Sequence, residues 1–242
     1  MKLFLAGTCS RPYLFENKKN KYILESFYYF NDWQKKLIKE CDMFLLDSGA
    51  FTFMNNFKGS VNWKKYVDKY AEFIVTNDVK YFFELDIDVI VGYEEVKKLT
   101  KYLEKKTNKK CIPVWHKSRG LEEWIRLTKE YDYVAIGGFV IKEITKQDYK
   151  FIPQLLKIAS QNKCKVHGLG FTNSDAYKMN FYSVDSTNWL SSSRFGNVEY
   201  FNGSKMVKYK TPPNKKTIHY KIRDKFVVKE WEKFQNYLDK NL

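Results

Sequence analysis

Seven short apolar runs alternate along this chain with longer amphipathic stretches, and that alternation is the strongest constraint on its fold. The runs occupy residues 3–6, 43–46, 81–85, 112–115, 133–136, 166–169 and 181–184, with lengths and flanking residues suited to strands. Between them, Trp63, Tyr66, Val67, Tyr70, Ala71 and Ile74 repeat at helical spacing, as do Val96, Leu99 and Leu103, and Leu121, Trp124, Ile125 and Thr128. Strand and helix in repeated order call for parallel pairing with right-handed crossovers, which leaves a doubly wound sheet or a closed barrel. Neither GxGxxG nor GxxxxGK follows the first run, which argues against a nucleotide-binding doubly wound sheet. The expectation is an α/β fold of the TIM-type (β/α)8 class, imperfect at its last strand. That eighth strand is expected from residues 196–210, although 198–209 also reads as a hairpin turning at Asn202-Gly203.

With 242 residues, 44% of them hydrophobic, the chain can bury one sizeable core. The organisation expected is a barrel over residues 1–210 and a basic extension over 211–242 packed against it. Within the extension, Val227, Trp231, Phe234 and Leu238 form one apolar helical stripe, preceded by an extended linker at Thr211-Pro212-Pro213-Asn214-Lys215-Lys216. Lys and Arg number 43 against 28 Asp and Glu, a net charge of +15, and residues 205–242 supply +7 of it. Such a balance favours phosphate-bearing partners, though Lys-rich solvated helix faces give the same sum. Cys9, Cys41, Cys111 and Cys164 form no CxxC pair and lie near no His cluster, so neither a metal nor a disulfide framework is expected. No run is long enough to span a bilayer, and a cytoplasmic protein without membrane association is expected.

The runs end on polar residues of a particular kind. Asp47-Ser48-Gly49-Ala50-Phe51 follows the second, Asp86-Ile87-Asp88 the third, His116-Lys117-Ser118-Arg119 the fourth, Gly137-Gly138-Phe139 the fifth, Gly170-Phe171-Thr172 the sixth and Asp185-Ser186-Thr187 the seventh. Each alone is ordinary turn or cap chemistry. Together they would project from the C-terminal rim of a parallel barrel, where such folds keep their chemistry.

These motifs carry a resemblance. Asp47-Ser48-Gly49-Ala50-Phe51, Gly137-Gly138-Phe139, His167-Gly168-Leu169-Gly170 and Ser183-Val184-Asp185-Ser186-Thr187-Asn188, in this order, look like those of the tRNA-guanine transglycosylase superfamily over residues 43–200. The resemblance implies a TIM barrel that exchanges guanine in a polynucleotide for a 7-deazaguanine base, without ATP or another cofactor. The chain is short and lacks the Cys-rich zinc module of the tRNA enzymes, and in that it is more similar to the DNA-guanine transglycosylases of phages and bacterial DNA-modification clusters, which would act in the host cytoplasm when phage-encoded. The implied partners are DNA, or tRNA as the alternative, and a free 7-deazaguanine.

By the same resemblance Asp185 is the nucleophile and Asp47 the acid/base, with Ser48 beside the substrate. Retention at the sugar needs two inversions, hence a covalent carboxylate ester between them. Asp86, with Asp88 as fallback, is expected to accept from the guanine N1–H and N2–H₂ donors, and Gly137 and Gly138 to bring backbone amides to O6. His116 stands where the tRNA enzymes carry a glutamine-bearing segment and is expected to donate to O6, to orient Asp47, or to be structural. Phe139, Leu169 and Phe171 are expected around the base, with Gly170 beside them, and His167 in the core. Lys117, Arg119 and Arg194 are expected at phosphates. Hydrolytic base removal by the same carboxylates and a non-catalytic nucleic-acid-binding barrel are the rival functions. The 37 Tyr and Phe residues leave room for a homodimer interface.

Overall fold

Alternation along each parallel strand divides the core into two clusters, one inside a curled sheet and one between that sheet and its helices. The computed structural model describes residues 1–49, 52, 61–171, 176–191, 198–209 and 219–241. Strands β1 (Lys2–Ala6), β2 (Tyr22–Ser26), β3 (Met43–Asp47), β4 (Val114–Trp115), β5 (Tyr133–Ile136), β6 (Lys165–Gly168) and β7 (Ser183–Ser186) form one parallel sheet in the order β3-β2-β1-β7-β6-β5-β4. Phe82 is bridged to Leu46 and Phe83 to Ile112, so residues 82–83 touch both edges of this half-barrel. Phe4, Leu24, Leu45, Phe83, Val114 and Ala135 fill its concave side. Their neighbours Leu3, Leu5, Ile23, Phe44, Leu46 and Val134 face outward onto helices.

Those helices are α1 (Lys35–Glu40), α2 (Trp63–Thr76), α3 (Asp88–Val91), α4 (Tyr93–Thr107), α5 (Gly120–Glu130), α6 (Ile152–Gln161) and α7 (Tyr220–Asn241). Their stripes enter the core as the spacing requires, with Val67, Tyr70, Val96, Leu103 and Trp124 at 0% exposure. Local chemistry sets the ends. The Asn62 side chain accepts from Lys65 N–H at the start of α2, and Asn108, at a φ of 52°, ends α4.

One expectation is corrected, and the hairpin reading given beside it holds. The sheet takes its additional strand near the N-terminus, β2, inserted between β1 and β3, and not from residues 196–210. Residues 198–209 instead form a separate antiparallel hairpin, β8 (Val198–Phe201) and β9 (Met206–Tyr209), around Asn202-Gly203. Helix α7 lies against β1 and this hairpin with Val227, Trp231, Phe234 and Leu238 buried, and the Gln235 amide donates to the carbonyls of Leu3 and Tyr22. Among the described residues no helix is long and apolar enough to cross a membrane.

Candidate active site

Parallel strands all end at one rim, and the inward-facing position at the end of β3 is Asp47. It closes its own turn, Gly49 N–H donating to Oδ2 at 2.9 Å. Gly49 sits at a φ of 82°, where a Cβ would lie 2.5 Å from the Tyr28 Cβ, so this corner admits only glycine. The turn reading of this motif holds, and the aspartate that closes the turn also faces the interior of the rim. Burial pushes the Asp47 carboxyl up to about 6, and the charges of Asp86 and Asp185 push the same way against the pull of the Gly49 N–H. Three carboxylates from three segments therefore share one electrostatic environment. Ser48 is fully buried, its hydroxyl with no hydrogen-bond partner among the described residues, while its carbonyl accepts from the Tyr66 hydroxyl at 2.6 Å.

Asp185 is the third residue of β7 rather than a residue beyond it, and is 7% exposed. Its Oδ1 accepts from Gly170 N–H at 2.6 Å and contacts His167 Nε2 at 3.2 Å. Gly170 is held at a φ of 68° with Val140 where a Cβ would go, which turns its amide toward the carboxylate. His167 is a core residue, at 0% exposure, but a core residue bonded to the candidate nucleophile. Strand alternation signals only that it faces inward. The bond itself depends on β6 lying beside β7, which the residues do not announce.

Asp86 meets His116, whose two ring nitrogens lie 2.7 Å from Asp86 Oδ1 and 2.8 Å from Glu143 Oε2. Burial lowers the imidazole pKa, but the flanking carboxylates Asp86, Asp88 and Glu143 outweigh it and raise it to about 9. His116 is thus a doubly donating imidazolium at neutral pH, linked neither to Asp47 nor free to offer a nitrogen to a base. Glu143, in the loop after β5, has no sequence signal pointing to it, being 27 residues from the histidine it holds.

Asp88 belongs elsewhere. It opens α3 and accepts from Arg119 Nε at 3.1 Å, so it does not share a strand face with Asp86. Donor atoms of Asp86, Asp88 and His116 lie within 4.8 Å of one another, a spacing that would suit a cation. Both His116 ring nitrogens already face carboxylates and Asp88 accepts from Arg119, so these donors are engaged within the protein.

Other expectations change with the geometry. Gly137 N–H donates to the Trp115 carbonyl at 2.9 Å and so cannot face a base. Its missing side chain makes room for the His116 ring, which a Cβ would approach to 2.9 Å. Phe139 and Phe171 stack on each other at 4.1 Å between centroids, too close to hold a third ring, which would need about twice a van der Waals contact. Leu169 is partly buried beside the concave cluster. Arg119 is not at the surface: its side chain is 2% exposed, donating to Glu84 Oε1 at 3.0 Å and lying 4.1 Å from the Tyr93 ring centroid. It is withdrawn from any phosphate. Lys117 remains exposed and pairs with Asp148 at 2.6 Å. Arg194, Ala50, Phe51, Thr172 and the 211–216 linker lie outside the described residues.

Among the buried carboxyls that were not expected, one lies on β2. Glu25 of β2 is 1% exposed, pushed up to about 7 by burial, and accepts from Thr8 N–H at 2.8 Å on the outer side of the sheet. Compared with known proteins, the chain matches no family model and no curated protein.

Proposed function

We propose that this chain is a base-exchange transglycosylase that replaces guanine in a polynucleotide, DNA favoured over tRNA, with a 7-deazaguanine base through a covalent aspartyl-glycosyl intermediate. The observation that carries the reading is the unlike environment of two nearby carboxyls. Asp185 accepts from Gly170 N–H and touches a His167 ring nitrogen, while Asp47 is pushed up to about 6 by burial and by neighbouring anions. On these unlike surroundings we assign the first as nucleophile and the second as proton carrier.

In the first half-reaction an Asp185 oxygen gives its electron pair to C1′ as the C1′–N9 bond breaks, and the departing guanine takes the Asp47 proton. In the second, Asp47 removes a proton from the incoming base, whose nitrogen attacks C1′ and expels the Asp185 carboxylate. Two inversions retain the anomer. Asp86, steadied by His116, accepts from the N1–H and N2–H₂ edge, and of the glycine pair it is Gly138 whose amide we assign to O6. For the scaffold we propose a full (β/α)8 barrel in which residues 82–83 serve as the eighth stave, a reading that rests on their bridges to Leu46 of β3 and to Ile112, two residues before β4.

The test is to offer labelled guanine to the protein with DNA and tRNA in parallel. Label in either polymer, with a protein-polymer adduct that survives denaturation, supports exchange and names the substrate. Abasic sites without label point to hydrolysis, and binding with neither product to a non-catalytic barrel.

A pH dependence follows from Asp47. A proton donor titrating at about 6 is loaded below that value and emptied above it, so single-turnover release of guanine should be level below pH 6 and fall about tenfold per unit above it. Rapid-quench measurement between pH 5 and 8 checks this. A rate that climbs through the interval would remove Asp47 from the acid role.

A further inference from the structure

The hydrogen bonds that hold Asp185 continue away from the rim into the interior of the sheet. The Tyr133 hydroxyl contacts Ser183 Oγ, Ser183 Oγ lies 2.7 Å from His167 Nδ1, and His167 Nε2 lies 3.2 Å from Asp185 Oδ1. His167 and Ser183 are both 0% exposed, and the rings of Phe4 and Phe83 stand 6.0 and 5.3 Å from the imidazole centroid. Such an apolar jacket makes every unmatched proton costly, so the direction of the chain can be found by assigning them.

If Ser183 accepts from Tyr133, its own proton goes to His167 Nδ1. That leaves Nε2 as the N–H of the ring, aimed at Asp185 Oδ1, which also takes the Gly170 N–H. The opposite direction would need a proton on Oδ1, the oxygen already receiving an amide, and would hand Tyr133 a proton from Ser183 while leaving its own without a recipient in the chain. The first arrangement satisfies every group and ends on a carboxylate anion.

We propose that Tyr133, Ser183 and His167 form a positioning relay that grips Asp185 by Oδ1, so that Oδ2 is the oxygen that bonds C1′. The inference rests on the transglycosylase reading and deepens it by naming the attacking atom and the residues that aim it. His167 is a positioning residue, acting only through Asp185.

Four variants test the relay: His167→Leu, His167→Gln, Ser183→Ala and Tyr133→Phe, each checked for folding by thermal unfolding. His167→Leu should form the covalent adduct about 100-fold more slowly, the scale expected when a reacting atom is misplaced by about 1 Å, with unchanged affinity for the free base. His167→Gln, whose amide can both accept from Ser183 and donate to Oδ1, should recover to within about tenfold of the parent. In the parent, ¹⁵N spectra should show His167 as the Nε2–H tautomer, and Ser183→Ala and Tyr133→Phe should erode that preference.

Parental rate in His167→Leu, no recovery in His167→Gln over His167→Leu, or an Nδ1–H tautomer in the parent overturns the relay. Failure of the parent to form an adduct with either polymer overturns the transglycosylase reading instead, and the tautomer measurement still decides the hydrogen-bond direction.

Discussion

Asp185→Asn should abolish base exchange, on the order of 10⁴-fold or more, while leaving the protein folded. The substitution keeps shape and size, and the asparagine Oδ1 still accepts from His167 Nε2 and Gly170 N–H, so the two bonds that seat the side chain survive. What is lost is the negative charge and the nucleophilic second oxygen, and no neighbour supplies either: Asp47 is held in its own turn by Gly49, and Asp86 is held by His116. Labelled-guanine incorporation and adduct formation measure the loss, and unfolding temperature controls for fold. Asp47→Asn should resemble it in turnover with a smaller penalty, about 10²- to 10⁴-fold, the range of general acid–base assistance. An Asp185→Asn protein that still exchanges bases would exclude the covalent mechanism, and equal binding of polynucleotide by parent and both variants with no turnover from any would favour a binding module.

The largest stability effect is expected at Arg119. Its guanidinium is enclosed, stacked on Tyr93, bonded to Glu84 and Asp88, and its pKa is raised: burial works against the charge, but Glu84 and Asp88 outweigh it. Glu84 in turn accepts from Val114 N–H at 3.0 Å and from the Thr100 hydroxyl at 2.9 Å, so it ties β4 to α4. Arg119→Met keeps most of the packing and strands two carboxylates without their cation, at a cost of about 3–5 kcal/mol. For a domain of this size that is roughly 10 °C or more in unfolding temperature. Removing Glu84 together with Arg119 should cost less than the sum of the single changes, because neither charge is then left alone. Had Arg119 been a phosphate contact, the same substitution would leave the melting curve in place and reduce the salt dependence of nucleic-acid binding. The two outcomes are easily told apart.

Residues whose position follows from burial were legible before the structure. Apolar runs such as 43–46 and 133–136 must be covered, and their alternation already sorts inward from outward side chains. Strand β2 escaped notice because Tyr22-Ile23-Leu24 runs into Glu25 and follows a lysine-rich stretch, the composition of a surface loop. Only the fold supplies the Thr8 amide that lets Glu25 be buried there. Asp47, Asp86 and Asp185 could be gathered from their places at strand ends, whereas pairings between loops could not. Glu143 reaching His116, Arg119 turning inward to Glu84, and Phe171 lying flat on Phe139 are decided by loop paths that leave no periodic trace. The three roles left open for His116 have the same origin: a histidine at a rim is visible, but its two partners are not.

The strand order has a consequence for how the protein comes into being. The first strand made, β1, lies in the middle of the sheet and is hydrogen-bonded to the last, β7. While a ribosome is still threading the middle of the chain, β1 is paired on one side through β2 but has its other flank open, and sealing it awaits the arrival of residue 183. Pairing over so many intervening residues slows maturation and leaves nascent chains reliant on protection from aggregation. The same stretch delivers the proposed attacking group, so fragments released early would be inert as well as unsealed, and the cell would be spared a half-formed enzyme that cuts bases from nucleic acid without replacing them.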